Sequence, residues 1–268
     1  MLRVLLAIAS LTVLLLGTSA SDAKRFPEIL AAPDGPWPEG GSFAVHLCSK
    51  GDAWDACGDK DVTPAQRQGI ERTLRQMPRI TGVHYQSKSE ALALLKASFR
   101  SASVLRESDM SESFSGRLLR WSDAPAFDSV VKALPGISVT YVWPAPFWED
   151  KADVDITLCD AVGEREPCEG RGQITADEKA AIEAFLRRTK GVKLIYFSDR
   201  AHGLRVIKQF NALWSQVIER HPEEKKDDTE PGPLENYFES YHVKLDDPKL
   251  APSFVDAVKH LPGVARVE

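Results

Sequence analysis

Apolar residues along this chain alternate between two periods, and the whole alternation occurs twice. Phe43, Val45 and Leu47 alternate with Ala44, His46 and Cys48, the period-two pattern of a half-buried strand. Val154, Ile156 and Leu158 alternate with Asp155, Thr157 and Cys159 in the same way, 111 positions later. A helix start follows each run, at Val62-Thr63-Pro64 and at Ile174-Thr175. Thr63 and Thr175 suit the N-cap and Pro64 the first helical position. Ile70, Leu74 and Met77 then make an inward face, as do Ile182, Phe185 and Leu186, and the helices stop at Pro78 and Gly191.

Short strands come next, Val83-His84-Tyr85 against Leu194-Ile195-Tyr196, leading into Ser87 and Ser198. The helix after Ser87 carries Ala91, Leu92, Leu94, Leu95 and Phe99. Its counterpart carries Leu204, Val206, Ile207, Phe210, Leu213, Trp214, Val217 and Ile218. That second helix is apolar around much of its circumference, wider than covering one sheet requires. Further strands are expected at 114–119 and 241–245. The copies close on nearly identical text, FDSVVKALPGI at 127–137 and FVDAVKHLPGV at 254–264. Phe127, Val130, Val131 and Leu134 lie on one helix face, Pro-Gly ends the helix, and a β-branched run follows.

Each copy therefore reads β, α, β, extra α, β, α, β. The predicted class is α+β: two tandem ferredoxin-like (split βαβ) units, each with an extra helical lobe. The units are expected at 42–146 and 152–268, preceded by a Pro/Gly-rich linker at 24–41. The offset between copies grows from 111 to 127 because the second carries about 16 more residues, a charged, proline-containing stretch read as a solvated loop.

Residues 1–23 carry Arg3, an apolar core over 4–17 and small residues at Ala20 and Ala23. That core is short for a bilayer span of about 20 residues and reads as an export signal peptide; an uncleaved anchor is the alternative. The expected location is secreted or at the extracytoplasmic cell surface. Cysteine usage agrees. Cys48 and Cys57 are nine apart, as are Cys159 and Cys168. Four cysteines allow three pairings, and the repeat singles out the two local ones. A shared metal would need ligands converging at tighter spacing.

The ordered set comprises the disulfide after the first strand, the Val-Thr helix start, a Tyr-containing second strand, an apolar-aromatic second helix and the Leu-Pro-Gly-Val ending. Together these resemble the extracellular domain of FtsX-type cell-division permeases, particularly the actinobacterial form. The resemblance implies a domain that binds and regulates secreted peptidoglycan hydrolases through a cleft and apolar residues on the lobe. By position it points to Leu95, Phe99 and Leu105 in the first unit and Phe210, Leu213, Trp214 and Val217 in the second; the same spacing also serves core residues. Those permeases carry four membrane helices and pair with an ATPase, which this sequence lacks, so any activation would be passive. Duplication would make binding bivalent if the connector at 144–151 let both units engage.

Enzymatic function finds no support in the residues. His46, His84, His202, His221, His242 and His260 show no metal-ligand spacing on a helix, and neither a nucleophile elbow nor a phosphate loop occurs. Asp246-Asp247 before Pro248 suits a turn. With 34 basic against 39 acidic residues and no basic stripe, nucleic acid is not expected as a partner. No cofactor or metal is expected. The expected partner is a secreted peptidoglycan hydrolase or another envelope protein; a sensory ectodomain holding a small ligand between the units is the competing reading.

Overall fold

The computed structural model describes residues 26–51, 54–98, 104–160, 167–218, 234 and 237–268. The expected signal peptide, Phe99 and the charged insertion at 219–233 lie outside the described residues.

In chain order the elements are β1 (Ile29–Ala31), β2 (Gly41–Leu47), α1 (Pro64–Gln76), β3 (Ile80–Gln86), α2 (Lys88–Ser98), β4 (Ser113–Leu118), α3 (Ala124–Lys132) and β5 (Ile137–Pro144). The second half holds β6 (Val154–Leu158), α4 (Ala176–Arg188), β7 (Val192–Ser198), α5 (Arg200–Ile218), β8 (Ser240–Leu245), α6 (Ala251–Val258) and β9 (Val264–Val267). The first sheet runs β3-β4-β2-β5 with every neighbour antiparallel, the ferredoxin-like order. The second repeats it as β7-β8-β6-β9. Two α+β split βαβ units, each with its own disulfide, Cys48–Cys57 and Cys159–Cys168, make up the chain.

The motifs that recur in sequence meet in space. Thr63 and Thr175 close capping boxes with Gln66 and Glu178, which satisfies N–H groups a helix start leaves orphaned. The Cys48 N–H donates to the Gly136 carbonyl at 2.9 Å and the Val62 N–H to the Cys48 carbonyl at 2.8 Å. Cys159, Gly263 and Ile174 repeat both bonds, at 2.9 and 3.0 Å. Gly136 and Gly263 have φ of +93° and +87°, a region that disfavours side chains, and any Cβ there would press on Val62 or Ile174. Strand end, helix start and Leu-Pro-Gly turn thus form one knot, tied twice.

One face of each sheet carries the core. Phe43, Val45, Leu47, Ile70, Leu74, Phe114, Phe127 and Val131 fill the first, between sheet, α1 and α3. Val154, Ile156, Leu158, Ile182, Leu186, Tyr241, Phe254 and Val258 fill the second. A charged pillar repeats beside each: Arg67, over the Tyr85 ring and bonded to Glu112, corresponds to Lys179, over the Phe197 ring and bonded to Glu239.

That pillar corrects the sequence register. Tyr85 opposes Phe114 and Phe197 opposes Tyr241, so Tyr85 corresponds to Phe197 rather than to Tyr196. The helix caps likewise pair Ser87 with Asp199, whose carboxylate accepts the His202 N–H, not with Ser198. A one-residue slip exchanges the two faces of a strand, which is why identity matching between two tyrosines misplaced it.

The Pro/Gly tract expected to be a linker is instead built into the second unit. β1 adds to the outer edge of β7 in parallel, pairing Ile29, Leu30 and Ala31 with Ile195, Tyr196 and Phe197. Three residues are too few to show a period, so only the waiting edge reveals the strand.

Candidate partner-binding surfaces

In the first unit the lobe begins at Ser87, whose hydroxyl accepts the Glu90 N–H while the Glu90 carboxylate accepts the Ser87 N–H. That backbone bond holds the Glu90 carboxyl below its usual range. The Lys88 ammonium donates to Ser49 Oγ at 2.7 Å, tying the lobe to the disulfide loop. Beside α2 lies a cleft of about 380 Å³ lined by His46, Gln86, Ala91, Leu94, Leu95 and Met110 among others. Leu94 is 59% and Val104 80% exposed, while Leu95 and Leu105 are half-buried. A second, more polar cleft of about 510 Å³ shares His46 and Met110 and reaches Trp54 and Tyr141 at the disulfide loop.

The second lobe is used differently. Val217 of α5, 5% exposed, belongs to the core of the first unit, and Leu213 and Trp214 pack against the same core. Phe210 is half-buried, its ring 6.4 Å from Trp37 and 5.9 Å from Trp214. The breadth of the apolar face on α5 has its reason there: Leu213, Trp214 and Val217 serve the neighbouring unit's core. Leu213, Trp214 and Val217, expected at an external contact, are therefore inter-unit residues, a correction that the periodicity of one helix cannot supply.

An aromatic seam continues from there. The connector is not a free linker: Phe147 is buried, and Trp148 stacks on His242 with centroids 3.6 Å apart. The Trp37 indole donates to the Ala145 carbonyl at 2.8 Å. His202, also beside Trp148, donates through Nε2 to the Pro33 carbonyl at 2.9 Å and accepts the Ser198 hydroxyl at Nδ1. His242 Nδ1 donates to Asp155 at 2.6 Å. Burial pushes the His242 imidazole below its usual pKa and outweighs the upward pull of Asp155. With connector, N-terminal tract and α5 interlocked, the units are not independently swinging modules. A cleft of about 450 Å³ between them is lined by Ser42, Arg117, Trp148, Glu149 and Asp155 among others, with Arg117 paired to Glu149.

Both disulfides use all four cysteines, and among the described residues no group of three or more His, Cys, Asp or Glu side chains could hold a metal. Sequence reasoning did not single out Leu94, Val104, Met110 or Trp54 as contact candidates. Their residue types are ordinary for a lobe, and only the tertiary fold shows that nothing in the described chain lies over Val104.

A duplicated, disulfide-stapled split βαβ module with a lobe on each copy defines a class of extracellular domain. The family model described as the FtsX extracellular domain matches residues 44–141 and 152–268, and the chain belongs to that family. Extracellular domain 1 of FtsX from S. pneumoniae, solved in complex with undecyl-maltoside, matches at 17% identity with a TM-score of 0.26. That match covers 45% of this chain and 95% of the other. No curated protein matches. The family is one of extracytoplasmic domains, and among the described residues no helix is long and apolar enough to cross a membrane.

Proposed function

We propose that this chain is a non-enzymatic, exported binding protein of the cell envelope that holds a secreted peptidoglycan hydrolase in the lobe cleft of its first unit. One observation supports the reading above others: Leu94, 59% exposed, lines the cleft together with Leu95 and Met110, whereas the matching helix of the second unit is engaged within the chain. Interface anchors are apolar side chains in such pockets, ringed by polar groups like Gln86, Asp109 and Ser111. Family membership supports an extracytoplasmic location and a protein partner in the envelope.

The test is binding of purified cell-wall hydrolases from the same organism to the full chain, by calorimetry. Leu94→Asp with Leu95→Asp weakens binding at least tenfold, while Trp214→Ala lowers stability and leaves the affinity of folded protein within about twofold. Equal affinity for the lobe variant would sink the assignment. Clearing of a peptidoglycan gel by the chain alone would sink the non-enzymatic reading.

A further inference from the structure

Duplication lets one unit show what the other lacks. In the second unit the outer edge of β7 is occupied by β1, and Ile195 beneath it is 0% exposed, with Ile29 packed against the same core. The register established by the Tyr85–Phe114 and Phe197–Tyr241 pairs makes Val83, His84 and Tyr85 the counterparts of Ile195, Tyr196 and Phe197. Among the described residues β3 is the terminal strand of the first sheet, and Val83 is only half-buried. Same fold position, same core, one strand fewer: the uncovered Val83 marks where that strand would lie.

The hydrogen-bonding groups point the same way. The Ala32 N–H donates to the Phe197 carbonyl at 3.0 Å, so Phe197 turns its backbone groups toward the edge. Tyr85 pairs with Phe114 as Phe197 pairs with Tyr241, and by that equivalence its backbone groups face the open edge of β3. The register irregularity falls between Thr81 and His84, with Gly82 at φ +65°; it twists the start of the strand, and regular pairing resumes at His84, next to Val83.

We propose that the outer edge of β3 is a strand-addition site for an extended segment of a partner protein, running parallel to β3 with an aliphatic residue over Val83 and a small one near Tyr85. The model for the occupant is the chain's own Ile29-Leu30-Ala31, seated on the equivalent edge. Backbone bonds supply affinity in such additions, and the alternate side chains supply selectivity. This edge adjoins the lobe cleft at Gln86, but the proposal does not rest on the cleft.

A synthetic peptide of residues 27–33, titrated into the ¹⁵N-labelled full chain, tests the idea, because the β7 edge is already filled. Saturable amide shifts centred on Val83, His84 and Tyr85 are expected. They should weaken at least tenfold when the peptide is N-methylated at Ala32, and vanish in Val83→Pro, a change an edge strand tolerates. An unchanged spectrum elsewhere in Val83→Pro verifies its fold. Silence of these amides at millimolar peptide, or equal response to the methylated peptide, overturns the proposal. Concentration-dependent shifts at the same amides without peptide would assign the edge to a second copy and overturn the partner reading.

Discussion

The indole Nε1 of Trp121 donates to the main-chain carbonyl of Leu213 at 3.2 Å, joining the start of α3 in the first unit to α5 of the second. Trp121 is buried at this joint, and Val217, one helical turn beyond Leu213, completes the first unit's core. The two units therefore unfold as a coupled pair. Trp121→Phe removes the bond and is expected to cost about 1–2 kcal/mol. Leu213→Asp places a charge in the seam and should split the calorimetric transition in two. A single unshifted transition in both variants would refute the coupling.

Acidification acts on the same seam through His242. Its folded-state pKa lies below the free value of about 6.5, so the neutral imidazole is the form the fold favours. The groups facing it are Asp155, its hydrogen-bond partner, His202 across Trp148, and the Lys244–Asp153 pair nearby. A depressed histidine pKa contributes stability that is complete above the unfolded value and is lost as pH falls through that value toward the folded one. Denaturant midpoints should therefore fall between pH 7.5 and about pH 5, and His242→Gln should flatten that slope. Asp153 works in a lower window: burial raises its pKa, but bonds from the Lys244 ammonium and the Leu245 N–H outweigh it, so its contribution fades only below about pH 4.

The knot formed by the Leu-Pro-Gly turn predicts matched effects in both units. Gly136→Ala and Gly263→Ala each force a left-handed alanine and press a new methyl on Val62 or Ile174. Each should cost about 1–3 kcal/mol. Gly170, also at positive φ but with nothing within 4 Å of its Cβ position, should show the smaller loss in the same equilibrium unfolding measurement.

Each disulfide closes a short loop within one unit. Replacing Cys48 and Cys57 together by serine should cost about 2–3 kcal/mol. Because the cross-link is local, hydrogen exchange should quicken around β2 and α1 before it changes around β6 and α4.

Much of this was legible in the order of residues. Period-two runs at Phe43–Leu47 and Val154–Leu158, threonine caps, equal cysteine spacing and the doubled Leu-Pro-Gly stop are local signals, and each describes its own neighbourhood. The contact surface was harder to read. Leu94 and Trp214 sit on helices of similar pattern, yet one stands exposed and the other packs against the first unit's core. Periodicity marks a face as apolar without saying what covers it.

The sequence by itself therefore determined the unit: its strand and helix order, its staple and its repetition, because caps, turns and alternation act over a few residues. Only the tertiary structure decided how the units serve one another. It moved α5 onto the foreign core, turned an aperiodic tract into β1, locked the connector under His242 and shifted β7 by one register. Those outcomes depend on which buried surfaces find each other across the length of the chain, and no local pattern encodes that choice.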